Sequence, residues 1–239
     1  ARPFQGKQGW VQALIARYGF DRWYLHVDAD ERLVFDGGPA PGPSGPGGPG
    51  SATAGVPPSG SSGRSLADLV RWAEGRGLRR LRGMLVDMYA PGPLLAPAPP
   101  PLRPTAGAPP DADLAARFPL FDGAGHDETL VLGRISRKGG PRRRCFPGLD
   151  PELTKYPLFH IRAAEVVACP HQLYPYPDNY TSDCHLGLLH YKFGADFHAR
   201  AVRARAEGNY WEGSREYVCY LQALETDPGC AMAHWGVAM

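Results

Sequence analysis

The sequence predicts an α/β fold in which helices flank a sheet. Short runs rich in aromatic and β-branched residues alternate with segments of helical periodicity, and these patterns are typical of strands and helices respectively. The 239 residues are 43% hydrophobic, which is enough for one large domain or two small ones. A formal charge of +2 does not predict a nucleic-acid partner. The longest apolar runs fall short of the roughly 18 residues that span a membrane, so no transmembrane segment is expected.

The first predicted element is an amphipathic helix that ends before residue 20. Trp10, Leu14 and Tyr18 recur every four residues, so their side chains share one face of a helix. Gly19 follows at the position where a helix often ends in a left-handed glycine.

A short buried strand is predicted at Trp23–Val27, and it leads directly into an acidic segment. Asp28 and Asp30 lie on the same side of an extended chain, at the end of a strand where α/β sheets present their ligands. Two carboxylates in this position are suited to bind one divalent cation. The alternative is an acidic turn that follows a core strand.

Two insertions interrupt the ordered pattern. Residues 37–63 contain ten glycines and seven prolines, with no charged or aromatic side chain. Such a segment has too little apolar surface to offset the entropy of ordering, so a mobile loop is expected. Residues 91–112 contain nine prolines and predict a second flexible insertion.

Ordered elements are predicted before the first insertion and between the two. A short strand is expected at Arg32–Phe35, before the first insertion. Ser65 is an N-cap candidate with Asp68 three positions later, which predicts a helix that ends near residues 75 to 77. The segment 79–89 predicts a strand, and Asp87 near its end places another carboxylate at a strand terminus.

Further strands are predicted at Thr129–Ile135 and Phe159–Val167, and helices at 195–206 and 210–225. The segment 138–144 combines a glycine turn with three arginines. Because guanidinium groups match the oxygens of phosphate or carboxylate, this segment predicts an anion site, with a solvated charge run as the alternative.

A second metal-binding position is predicted near the end of the chain. His190 lies between apolar neighbours and shares one face of an extended segment with Lys192. The pair offers one metal ligand and one phosphate contact, so we expect both residues to join Asp28 and Asp30 in a single site. The alternative is a buried histidine that hydrogen-bonds within the sheet.

Six segments, in their order and approximate spacing, resemble bacterial family 2 glycosyltransferases. They are WYLHVDADE at 23–31, LVDMY at 85–89, FPLFD at 118–122, KGGPRRR at 138–144, LTKYPL at 153–158 and LLHYKF at 188–193. The resemblance covers about residues 5 to 222. It implies a partial GT-A-like fold, with a mixed sheet, flanking helices and C-terminal helices.

The resemblance also implies a metal-dependent transferase. A nucleotide-sugar donor is held through Mn²⁺ or Mg²⁺, and the acceptor is a glycan, a lipid or a protein. The implied metal ligands are Asp28, Asp30 and His190. The implied substrate-binding cations are Arg142, Arg144, Lys155 and Lys192, and the two candidates for the base that deprotonates the acceptor are Asp87 and Asp122.

Members of this family normally begin with a nucleotide-binding βαβ portion, and this chain starts after it. We therefore expect a fragment that binds donor poorly and is inactive alone. Residues 1–207 are the expected transferase core and 208–239 a C-terminal helical segment. Residues 223–238 are similar to part of a tetratricopeptide repeat, although the helices at 195–206 and 210–225 can instead be packing helices of the transferase.

A second function class fits some of the same features. A noncatalytic binding or scaffold module is suggested by the missing nucleotide-binding half, the loose insertions and the repeat-like tail.

The five cysteines have no CxxC spacing and fit reduced thiols, so a cytoplasmic location is expected.

Overall fold

The computed structural model has a mixed α/β architecture with a curled mixed sheet and, in its described part, six helices. The residues it describes are 3–35, 65–94, 112–131, 133–169, 171–179, 183–194 and 196–229. The insertion predicted at 37–63 lies outside them, as do residues 95–111 of the second insertion. Within these ranges, no helix has both the length and the apolar character that crossing a membrane demands.

The elements alternate along the chain. The helices are α1 (Pro3–Tyr18), α2 (Leu66–Glu74), α3 (Ala112–Arg117), α4 (Gly140–Cys145), α5 (Phe197–Glu207) and α6 (Trp211–Thr226). The strands are β1 (Arg22–Leu25), β2 (Glu31–Val34), β3 (Arg80–Asp87), β4 (Asp127–Val131), β5 (Arg134–Lys138), β6 (Thr154–Ile161), β7 (Val166–Cys169), β8 (Gln172–Tyr174) and β9 (Cys184–His190).

The main sheet has five strands in the order β1-β6-β3-β9-β2. Strands β3 and β9 are parallel, and the other neighbours pair antiparallel. The carboxyl ends of β3 and β9 therefore lie side by side, together with the amino end of β2. This arrangement brings three separate parts of the chain to one end of the sheet.

The sheet is curled because its two edges are joined by a very short segment. Strands β1 and β2 form opposite edges, which in a flat sheet would lie about 19 Å apart, yet only residues 26–30 connect them. This segment is also not fully extended, since the Glu31 amide donates to the Asp28 carbonyl at 3.0 Å. The edges must therefore curve toward each other, and Lys155 of β6 accordingly reaches Glu31 of β2 at 2.5 Å.

The predicted first helix is confirmed as α1, but the stripe formed by Trp10, Leu14 and Tyr18 does not face the core. Their exposed fractions are 66%, 51% and 58%. The packed face contains Val11 and Ile15, which join a core cluster with β6, β7 and β8. A four-residue spacing recurs on two adjacent stripes of this helix, so the spacing predicts a helix without identifying its buried side.

Two of the predicted strands are each divided into two strands. The segment Thr129–Ile135 spans the β4–β5 hairpin, in which Thr129 pairs with Ser136. Gly133 has a φ of +82° and supplies the left-handed turn that a continuous strand would exclude. The strand predicted at Phe159–Val167 ends at Ile161, and the chain turns before β7 begins at Val166.

The capping prediction for α2 is confirmed. Ser65 Oγ accepts from the Asp68 amide at 3.2 Å, and the Asp68 carboxylate accepts from the Ser65 amide at 2.7 Å. These reciprocal bonds satisfy two amides that the first turn of a helix otherwise leaves unpaired.

The predicted C-terminal helices are also present, as α5 and α6. They pack in one core cluster with Phe146, Phe193 and Tyr89 from the region of the sheet and α4. Phe146, Phe193, Phe197 and Tyr220 make mutual ring contacts at its centre. Helix α6 thus shares its core with residues of the expected transferase region, while residues 230–238 of the repeat-like tail lie outside the described residues.

Candidate functional site

Asp30, Asp87 and His190 meet at one end of the curled sheet. His190 is the last residue of β9, where it pairs with Asp87 of β3 on one side and with Glu31 of β2 on the other. Backbone hydrogen bonds fix this junction, since the Tyr191 amide donates to the Asp30 carbonyl at 2.8 Å. The sequence prediction that Asp30 and His190 share a site therefore agrees with the geometry.

The two ring nitrogens of His190 face different carboxylates. Nδ1 lies 2.6 Å from Oδ1 of the buried Asp87. Because an ionised carboxylate only accepts, Nδ1 carries the proton and donates it in this bond. Nε2 lies 3.6 Å from Oδ2 of Asp30, which is longer than a hydrogen bond. The ring is thus held with Nε2 directed toward Asp30.

Asp87 is held from its other side by Arg142. The Arg142 Nε donates to Asp87 Oδ2 at 2.7 Å, and both side chains are buried. Burial by itself raises the pKa of Asp87, but the charge of Arg142 and the hydrogen bond from His190 outweigh it, so the pKa is lowered. Asp87 is therefore a charged carboxylate that positions His190.

The geometry of Asp30 and His190 fits two ligands of one divalent ion. A separation of 3.6 Å allows both donor atoms to lie about 2.1 Å from a common point. The interaction with His190 is the main reason that the pKa of Asp30 is lowered to about 2, so this carboxylate is charged. Among the described residues, no group of three His, Cys, Asp or Glu side chains is arranged around one point.

Asp28, the other predicted metal ligand, lies in a separate charge cluster. Its Oδ2 accepts from Lys155 Nζ at 2.9 Å, and its Oδ1 pairs with Lys7. Burial raises the pKa of Asp28, but these two ammonium groups have the larger effect and lower it. Its role as a metal ligand stays a prediction. For Asp28 to bind a metal, Lys7 or Lys155 must give up its contact with one of the carboxylate oxygens of Asp28.

The predicted arginine-rich anion site forms a short helix, α4, whose arginines all contact carboxylates. Arg144 binds Asp122 through two parallel hydrogen bonds of 2.9 Å, and Arg143 pairs with Asp127. These partners neutralise the guanidinium groups that the sequence suggested for substrate. Asp122 also accepts from the Tyr89 hydroxyl at 2.8 Å.

Lys192 and Arg142 share a carboxylate that the sequence analysis missed. Glu216 of α6 lies 3.0 Å from Arg142 NH1 and 3.2 Å from Lys192 Nζ. Burial raises the pKa of Glu216, but the charges of Lys192 and Arg142 lower it to about 2. This carboxylate therefore ties α6 to the site through two cations.

Glu216→Gln is expected to reduce stability by about 2 kcal/mol at neutral pH, with a difference that disappears in acid. Because the folded pKa of Glu216 lies below the ordinary 4.5, its stabilisation is present above pH 4.5 and lost as the pH falls toward 2. Thermal midpoints measured from pH 7 down to pH 2 should therefore draw together below pH 4.5. Glu225→Gln, on the exposed side of the same helix, is the matched control, and a gap that does not change with pH would contradict the assignment.

Arg200 of α5 is a second residue that the sequence analysis missed. Its NH1 lies 3.9 Å from Asp30 Oδ2, and its NH2 donates to the Lys192 carbonyl at 2.6 Å. One sequence feature could have indicated Arg200. It lies four residues after Asp196, in the first turn of the helix that directly follows the His190 segment.

Scans of the chain against protein-family models, curated proteins and solved structures found no match.

Proposed function

We propose that this protein is a metal-dependent glycosyltransferase with a GT-A-like fold, which transfers a sugar from a nucleotide-sugar donor. The observation that carries the proposal is the approach of Asp30 and His190, two residues 160 positions apart, to 3.6 Å. One carboxylate and one imidazole at this separation are a suitable pair of ligands for Mn²⁺ or Mg²⁺. The order of the six sequence segments supports the same assignment.

In this proposal the chain's own residues hold and orient the reacting groups. Asp30 and His190 would hold the ion, which would supply positive charge to neutralise the leaving diphosphate. Asp87 accepts the hydrogen bond from His190 Nδ1, so Nε2 is the nitrogen that would bind the ion once its own proton is released. The charge of Lys192 also contributes to the lowered pKa of Asp30, while its ammonium contacts Glu216.

Asp122 is the better placed of the two carboxylates predicted as the acceptor base. Its side chain is 14% exposed, against 1% for Asp87. Both accept hydrogen bonds from arginines, so either must change a partner before it takes a proton from an acceptor hydroxyl. We therefore assign the base to Asp122 and the positioning of His190 to Asp87.

Asp30→Asn tests the proposal because it removes a charged ligand and preserves the volume. We expect the dissociation constant for Mn²⁺ to rise at least about tenfold, as measured by calorimetric titration in the presence and absence of UDP or GDP. Asp196→Asn is the matched control, since Asp196 also pairs with Arg200 but its side chain is 68% exposed.

Equal Mn²⁺ affinities in Asp30→Asn and Asp196→Asn would reject the metal site. A wild-type protein that binds no Mn²⁺ would favour the noncatalytic binding module instead.

A further inference from the structure

Arg200 lies beside Asp30 and His190. Of the cations near this end of the sheet, it has the carboxylate partners that a bound anion could replace most easily. Its Nε lies 3.1 Å from Oδ2 of Asp196, one turn earlier on the same helix. An exposed pair of this kind contributes little to stability. Its other carboxylate neighbour, Asp30 at 3.9 Å, lies beyond hydrogen-bond distance.

The other cations near this end of the sheet are held more firmly. Arg142 and Lys192 contact Glu216, Arg144 binds Asp122 through two hydrogen bonds, and Lys155 contacts Glu31. To bind a substrate anion, each must leave a carboxylate that is at most 33% exposed, against 68% for Asp196. Removing a partner from a buried ion pair is costly, so these four cations are poorly suited to reversible binding.

The guanidinium of Arg200 is also fixed in position. Its NH2 donates to the Lys192 carbonyl at 2.6 Å, which anchors one side of the group two residues beyond His190. The side chain remains 30% exposed. A planar guanidinium held in this way can offer its remaining N–H groups to two oxygens of a phosphate at once.

We infer that Arg200 binds a phosphate group of the donor next to Asp30 and His190. The inference rests on the proposed function and names the residue that recognises the diphosphate. Arg200 supplies a second positive charge to a ligand that also contacts the metal, and it does so without disrupting a buried ion pair. Sequence patterns had suggested Arg142, Arg144, Lys155 and Lys192 for this role.

Arg200→Gln tests the inference, because glutamine keeps the first part of the aliphatic side chain and a polar end but carries no charge. The matched control is Arg203→Gln, at an exposed position on the same helix. Calorimetric titration with UDP and with inorganic pyrophosphate, each with Mn²⁺, should show binding about 10- to 100-fold weaker in Arg200→Gln. The Arg203→Gln protein should bind like the wild type. Arg200→Lys, which keeps the charge without the planar fork, should recover only part of the affinity.

The outcomes separate this inference from the proposed function. If Arg200→Gln binds both probes as tightly as Arg203→Gln, the inference is wrong and the glycosyltransferase proposal is unaffected. If pyrophosphate binding depends on Arg200 but is the same with and without Mn²⁺, the phosphate site stands and the proposed metal-dependent function fails. A wild-type protein that binds neither pyrophosphate nor Mn²⁺ overturns both.

Discussion

Replacing Asp87 with alanine is expected to destabilise the protein by about 3–5 kcal/mol. The substitution leaves the guanidinium of Arg142 buried without its 2.7 Å carboxylate partner and removes the hydrogen-bond acceptor of His190 Nδ1. Glu216 still contacts Arg142 from the other side, but its charge is shared with Lys192. The free energy of unfolding from urea titrations measures the loss.

The control for this variant is Asp127→Ala. Asp127 pairs with Arg143 in a bridge whose side chains are 65% and 43% exposed, so its loss should change the stability far less than the loss of Asp87 does. Similar destabilisation by both alanine variants would contradict the importance of the buried pair.

Asp87→Asn distinguishes the positioning role from that of a catalytic base. Asparagine removes the charge but keeps an oxygen that can accept from His190 Nδ1. A positioning role predicts that Asn preserves more Mn²⁺ affinity than Ala does. A base role predicts that both variants lose turnover equally while metal affinity is unchanged.

Local sequence patterns predicted the elements that local chemistry determines. The capping box at Ser65 and the two C-terminal helices follow from residues that are neighbours along the chain. The proximity of Asp30 and His190 was also expected, on the argument that two aspartates leave a metal ligand set incomplete. The two residues do lie close together, but the metal itself stays a prediction.

The ion pairs could not be predicted in the same way. Arg142 finds Asp87 across 55 residues and Glu216 across 74. These pairings depend on the order of the strands and on the curl of the sheet, neither of which a run of arginines reveals. A basic segment shows that anions are attracted, but the partner can be a substrate or a carboxylate of the same chain.

The four-residue spacing of apolar residues likewise does not determine which face of α1 packs against the core. Trp10 and Leu14 share one stripe of α1, while Val11 and Ile15 share the adjacent one. The bulkier stripe was the natural choice for the core. Packing against β6 and β7 selects the smaller, branched side chains instead, and Gln12 adds a hydrogen bond to the Val167 amide at 3.1 Å.

Lys155→Met is expected to destabilise the protein by about 3–5 kcal/mol. The ammonium of Lys155 is 1% exposed and lies 2.5 Å from Glu31 Oε1 and 2.9 Å from Asp28 Oδ2. Methionine preserves the length of the side chain but leaves the buried Glu31 carboxylate without its cation. Urea titration measures the loss, and Lys138→Met, which breaks the exposed bridge to Asp150, should cost less than about 1 kcal/mol.

The same variant decides between two roles for Lys155. The sequence suggested that this lysine binds substrate, which predicts a stable variant with weak donor binding. Its contacts instead predict an unstable variant, because Lys155 holds the segment that joins β1 to β2. That segment includes Asp30, so Mn²⁺ affinity should also fall, even at temperatures where the variant is folded. A stable Lys155→Met protein with unchanged Mn²⁺ affinity would show that the buried cluster does not position the site.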